Sequence, residues 1–153
     1  MIMNVLKNYK FSIIIVFSIF YLCVRPTVPD VFYLSENNKI IYETESSTPF
    51  TLLSLRDFLG HMCAYVLLTF ALCMETSKYA KDKTLSRVQC VYICVFLPII
   101  YGGTMEFVQK YFFPPRSAEW SDWIADVIGV AIGMRFFMFV NKKFKLNTNV
   151  TFF

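Results

Sequence analysis

Charge is scarce in this chain. Of its 153 residues only 17% are charged, while 56% are apolar. That balance excludes an ordinary soluble domain of this size, whose high surface-to-volume ratio demands a polar coat. The formal net charge of +4 falls in short clusters between apolar runs and gathers on no single face. No nucleic-acid motif accompanies it, so nucleic acid is excluded as a partner and the basic residues read as membrane topology. Internal repeats and low-complexity tracts are lacking as well. The cysteines are five: Cys23, Cys63, Cys73, Cys90 and Cys94. Cys90 and Cys94 share a helical face, but no further ligands stand at metal-site spacing. They read as core filler, and a disulfide framework is not expected.

What is present is a series of apolar runs. The first, Phe11 to Val24, follows Lys7 and Lys10. No small-residue cleavage site follows it at Cys23-Val24-Arg25-Pro26, so an uncleaved anchor is expected, not a signal peptide. Tyr9 and the stem of Lys10 extend this short span. Three longer runs follow, and the expected spans are about 9–24, 55–74, 88–108 and 120–140. At about 1.5 Å per residue the last three are long enough for a bilayer. The sequence thus predicts an all-α membrane protein, a four-transmembrane-helix bundle forming one domain over residues 1–153.

Basic clusters set the orientation. Lys7 and Lys10, the loop with Lys78, Lys81, Lys83 and Arg87, and the tail with Lys142, Lys143 and Lys145 fall on one side when both termini are cytoplasmic. Cytoplasmic loops retain Lys and Arg, so N-in and C-in is the expectation, in the cytoplasmic membrane. The loop 25–54 is then extracytoplasmic. Within it, Val31–Leu34 and Lys39–Glu43 flank Ser35-Glu36-Asn37-Asn38 and predict a small hairpin.

The polar residues inside the spans carry the chemistry. Asp57, His61 and Tyr65 are spaced four apart and form one helical stripe. Glu106 and Gln109 share a face of the third span, and Asp122 and Asp126 a face of the fourth. With this topology His61 lies about 9 Å below Leu55, a depth shared by Asp126 and Glu106. Burying an Asp at a helix centre costs about 2.5–3.5 kcal/mol, so such groups face a bundle interior or a wet cavity. Arg56 and Arg116 are the expected counter-charges. A glue network is the bland reading; an outward-facing site is favoured, because a histidine and several carboxylates exceed what glue requires. Gly129 and Gly133 form a small-xxx-small pair for close helix contact, and Gly102-Gly103 lets the third span approach a neighbour or bend. Trp120, Trp123 and Tyr111 suit an interfacial belt.

The run Gly103-Thr104-Met105-Glu106-Phe107-Val108-Gln109, then Arg116-Ser117-Ala118-Glu119-Trp120-Ser121-Asp122 and Asp126-Val127-Ile128-Gly129 with Gly133, resembles the signature of the VanZ-like bacterial membrane proteins. Asp57, His61 and Tyr65 fit upstream, so the resemblance covers about Leu55 to Val140. Two positions depart from the pattern: Phe58 stands where the family has Lys, and Asp126 where it has Asn. The resemblance implies a cell-envelope protein, the family's founding member being associated with low-level resistance to the glycopeptide teicoplanin.

Three functions compete. The first is binding or shielding of a lipid-linked envelope precursor or a glycopeptide at the outer face. Arg56, Arg116 and Lys110 would draw a phosphate, with Asp57, His61, Tyr65, Glu106, Gln109, Asp122 and Asp126 completing the site. The second is an intramembrane enzyme acting on an envelope lipid, with His61 as general base, Asp57 orienting it, and Glu106 or Asp122 as acid or metal ligand. A divalent cation held among His61, Glu106, Asp122 and Asp126 would reconcile the carboxylates with a phosphate. Ser117 and Ser121 are nucleophile candidates by proximity alone. A proton pathway ranks last, since the inner halves of the spans are nearly bare.

Overall fold

A computed structural model describes residues 8–24, 35–36, 39–40, 50–81, 85–113 and 120–144. Among them stand four main helices, α1 (Lys10–Val24), α2 (Phe50–Lys81), α3 (Arg87–Phe112) and α4 (Trp120–Phe144). By length and apolar composition, α2, α3 and α4 are each able to cross a membrane. The 15 residues of α1 reach about 22 Å at 1.5 Å per residue, short of a hydrocarbon core of about 30 Å. Phe11, Phe17, Leu67, Ile100, Phe107 and Phe139 all stand exposed around the bundle. An apolar coat of this extent suits lipid, not water.

The predicted spans fall inside these helices, but α2 runs further than the sequence suggests. The stretch from Glu75, beyond the expected end of the span at about 74, stays helical to Lys81. The cause is tertiary. Glu75 is buried, and its carboxylate accepts hydrogen bonds from the backbone N–H of Phe11 (2.9 Å) and Ser12 (3.3 Å) and from the Ser12 hydroxyl (2.5 Å). A first helical turn leaves its N–H groups without intrahelical partners, and its dipole favours a negative charge there. Glu75 therefore caps α1 from the far end of α2. Stacking of Tyr9 on Tyr79 and contact between the Tyr9 and Thr76 hydroxyls fix the same corner.

Helix α3 opens on a capping box, in which Ser86 Oγ accepts from the Gln89 N–H and Gln89 Oε1 from the Ser86 N–H. It then widens into a π-helical turn over Tyr92–Phe96, where the Leu97 N–H reaches back to the Tyr92 carbonyl. Pro98 explains this: it has no N–H to donate to Cys94, and its ring would strike that carbonyl in a regular helix.

The contacts give the helix directions. The Gln109 amide donates to the Cys23 carbonyl (3.3 Å), joining the C-terminal ends of α1 and α3. Tyr65 meets Tyr101, and Tyr101 donates to the Val16 carbonyl. The broadest interface is between α2 and α4, which run parallel. It closes on two glycines: a Cβ on Gly129 would lie 2.5 Å from the Met62 carbonyl oxygen, and one on Gly133 would lie 2.7 Å from that of Val66. Backbone approach this close is what a small-xxx-small pair permits. Tyr65, Leu68, Leu72, Met105, Val130, Met134 and Phe137 fill the core. Cys73, Cys90 and Cys94 are buried there as free thiols, while Cys63 is exposed.

The hairpin is tighter than expected. Ser35 pairs with Ile40 and Glu36 with Lys39, antiparallel, as β1 (Ser35–Glu36) and β2 (Lys39–Ile40). Ser35 and Glu36 thus belong to a strand and not to the connection between strands. The flanking Val31–Leu34 and Ile41–Glu43 lie outside the described residues.

Candidate functional site

The close α2–α4 contact brings His61 against the first turns of α4. His61 Nδ1 lies 3.1 Å from Asp126 Oδ1, and His61 Nε2 lies 3.7 Å from Asp122 Oδ2. With Asp126 ionised, its carboxylate would only accept, which would place the His61 proton on Nδ1 and leave Nε2 facing Asp122. Asp126 is 1% exposed, whereas the side chains of His61 and Asp122 are 18% and 16% exposed. The cluster is therefore graded, with a dry carboxylate behind the imidazole and a partly wet one before it.

Glu106 enters from α3. It is buried, and one ligand atom each from Glu106, His61 and Asp122 lie within 4.8 Å of one another. Three helices thus deliver four ionisable side chains to one level of the bundle. Gly102, one turn before Glu106 on the same stripe of α3, makes the room. A Cβ there would fall 2.5 Å from Asp126 Oδ2. The sequence marks this glycine as an approach or bend; the structure makes it the recess that accepts Asp126.

Tyr65 stands one turn deeper on the His61 stripe. Its side chain is buried, and its hydroxyl has no hydrogen-bond partner among the described residues. Helical side chains lean toward the helix N-terminus, so the ring of Tyr65 reaches toward the level of His61. It sits within electrostatic range of Asp126 and Glu106.

Other expected site residues go elsewhere. Asp57 is not the partner that orients His61: it is 55% exposed and lies 3.4 Å from its neighbour Arg56. One turn before His61 on α2, it lies at the surface beside Arg56, and Asp126 takes its expected place against the imidazole. Arg56, 75% exposed, pairs with Asp57 and not with the buried carboxylates. Gln109 is buried but turned to the end of α1, where it donates to Cys23. Arg116 and Ser117 lie outside the described residues. Trp123 does more than mark an interface, because its indole N–H donates to the Ile99 carbonyl (3.3 Å) and packs on Gly103, locking α4 to α3. Trp120 and Tyr111 are exposed, as a belt requires.

The fold is a helical bundle whose three long apolar helices are membrane-compatible, and His61, Glu106, Asp122 and Asp126 form a polar cluster between them. A scan against protein-family models and searches of curated proteins and of solved structures find no match to this chain.

Proposed function

We propose that the chain is a VanZ-like protein of the bacterial cytoplasmic membrane whose His61–Glu106–Asp122–Asp126 site opens outward and holds the phosphate-bearing headgroup of an envelope lipid or lipid-linked precursor. In this reading α1, extended by Tyr9 and Lys10, is a fourth span, and both termini are cytoplasmic. Holding such a precursor is the route by which a protein of this kind would lower susceptibility to a glycopeptide. The observation that carries the proposal is the convergence of four ionisable side chains from three helices, with Tyr65 beneath them. Arg56 and Lys110 are exposed at the same end of the bundle, available to an arriving phosphate.

The test is native mass spectrometry of the purified protein with phosphatidylglycerol, a polyprenyl phosphate, or diacylglycerol as the uncharged comparison. Retention of the phosphate lipids over diacylglycerol is expected, with loss on His61→Ala and Glu106→Gln in protein that still inserts and melts normally. Equal retention by folded variants sinks the proposal. Reporter fusions after Lys143 and within the loop 25–49 check the orientation; the first is expected inside and the second outside.

A second reading, turnover of the same lipid, draws on the Nδ1–Asp126 contact. A carboxylate-oriented imidazole is the usual form of a general base. It predicts product from a polyprenyl phosphate or pyrophosphate, abolished by His61→Ala; binding alone predicts none.

A further inference from the structure

Asp126, His61 and the pair Glu106–Asp122 stand in a definite order. The buried carboxylate of Asp126 holds one ring nitrogen of His61 at 3.1 Å. The other ring nitrogen lies 3.7 Å from Asp122 Oδ2, and His61, Asp122 and Glu106 each bring one ligand atom within 4.8 Å of the others. A histidine that ligates a metal almost always gives its second nitrogen to a carboxylate or carbonyl, which fixes the tautomer and raises ligand basicity. Asp126 has that position, and the glycine recess at Gly102 keeps it there.

We propose that His61 Nε2, Glu106 and Asp122 bind one divalent first-row metal ion, with Asp126 as the outer carboxylate that orients His61. This rests on reading the cluster as a binding site and not as a structural network. Four features point to an ion.

The first is spacing. A tetrahedral ion about 2.0–2.1 Å from its ligands holds them about 3.3 Å apart. The 3.7 Å between His61 Nε2 and Asp122 Oδ2 is too long for a hydrogen bond but closes on an ion with a shift of a few tenths of an ångström, and the Glu106 oxygen, within 4.8 Å of both residues' ligand atoms, closes with a side-chain shift of up to about 1.5 Å. The second is the donor set. One imidazole with two carboxylates suits zinc or manganese, whereas magnesium and calcium favour oxygen alone. The third is charge: three carboxylates share one level, and a doubly positive ion would offset their repulsion. The fourth is the Tyr65 hydroxyl, buried without a described partner one helical turn below His61. A water or phosphate oxygen on the ion's open position would give that hydroxyl an acceptor.

The ion also changes what the site can hold. Bare carboxylates repel a phosphate, but an ion with three protein ligands keeps a position for one of its oxygens. The partner class is thus a phosphate monoester or diester bound through metal. An ion on Nε2 takes the lone pair that a general base would use, so His61 then positions metal and does not accept a proton.

His61 is the single histidine of the chain, which makes the test clean. Full-length protein without a histidine tag, in phosphatidylcholine nanodiscs, is stripped with chelator and dialysed against zinc or manganese. One ion per chain by elemental analysis is expected, with a tetrahedral visible spectrum when cobalt replaces zinc. Zinc should also protect His61 from diethylpyrocarbonate, a measurement that needs no variant. Glu106→Gln and Asp122→Asn should abolish binding, Asp126→Asn should weaken it about 10–100-fold, and Asp57→Asn should leave it unchanged. A wild type that binds no ion overturns the proposal, as does binding indifferent to Glu106→Gln and Asp122→Asn, or zinc that fails to protect His61. Phosphatidylglycerol retention is measured in parallel. Ion without lipid leaves the metal site standing and removes the lipid reading; lipid without ion does the reverse.

Discussion

Asp126 lies directly against the backbone of Gly102. A methyl group on that glycine would stand 2.5 Å from the carboxylate oxygen Oδ2 and 3.2 Å from Cγ. Gly102→Ala therefore either expels Asp126 from behind His61 or pushes α3 from α4. Overpacking of this kind costs about 1–3 kcal/mol. A lowered melting temperature is expected, together with reduced lipid and metal retention in the protein that remains folded. Gly60, with nothing within 4 Å of its Cβ position, is the control. Gly60→Ala should be neutral, or stabilising by up to about 1 kcal/mol from helix propensity.

The α2–α4 seam predicts a graded series. At Gly129 the obstacles to a Cβ are the Met62 carbonyl oxygen at 2.5 Å and Tyr65 Cβ at 2.9 Å, neither of which can swing aside. At Gly103 the nearest atom is the Trp123 indole nitrogen at 3.3 Å, the end of a side chain with two rotatable bonds. Gly129→Ala should destabilise by about 1–3 kcal/mol and Gly103→Ala by clearly less. Paired thermal melts in one detergent decide it. Equal losses would mean that the seam is looser than the backbone contacts indicate.

Much of this was legible in the sequence, and the exceptions share a physical cause. Apolar runs and their polar breaks located all four helices, because lipid exposure imposes a signal that needs no tertiary knowledge. The i, i+4 stripes put His61, Asp122 and Asp126 on the right faces. They could not say which carboxylate faces the imidazole. Asp57 and Asp126 are both compatible with the spacing, and the choice depends on which face of α2 the α4 helix packs against. Glu75 was hidden for the same reason: in sequence it opens a charged stretch, and only the corner between α1 and α2 gives it a buried role. The π-helical turn had a marker in Pro98 that helical length alone could not interpret. Gly102 carried a usable signal, since a glycine one turn before Glu106 marks a recess on the very stripe that bears the site.

Glu75 offers a prediction remote from the site. Its carboxylate accepts from two backbone N–H groups and a hydroxyl at the start of α1. Bonds to a charged buried acceptor are worth more than neutral ones, and leaving those donors without a partner costs about 1–3 kcal/mol. Glu75→Ala should loosen the first turn of α1 and speed hydrogen exchange at the Phe11 and Ser12 amides. Glu75→Gln keeps one acceptor oxygen and should fall between. Unchanged exchange at those amides in Glu75→Ala would show that α1 does not depend on this cap.

The Tyr65 hydroxyl separates a binding site from a structural network most sharply. A buried polar group with no partner costs about 1–3 kcal/mol, so removing it should relieve the fold. Thr69, one turn further along α2, provides the comparison. Its hydroxyl is likewise buried without a described partner, but its Cβ lies against Gly133 in the α2–α4 seam. Both Tyr65→Phe and Thr69→Val should melt at or above the wild-type temperature. Their effects on the site should differ: Tyr65→Phe should lower zinc and phosphatidylglycerol retention, because the hydroxyl meets what the cluster holds, and Thr69→Val should leave both unchanged. If Tyr65→Phe instead melts lower with retention intact, the hydroxyl has a structural partner, and the cluster above it is a fastening between helices.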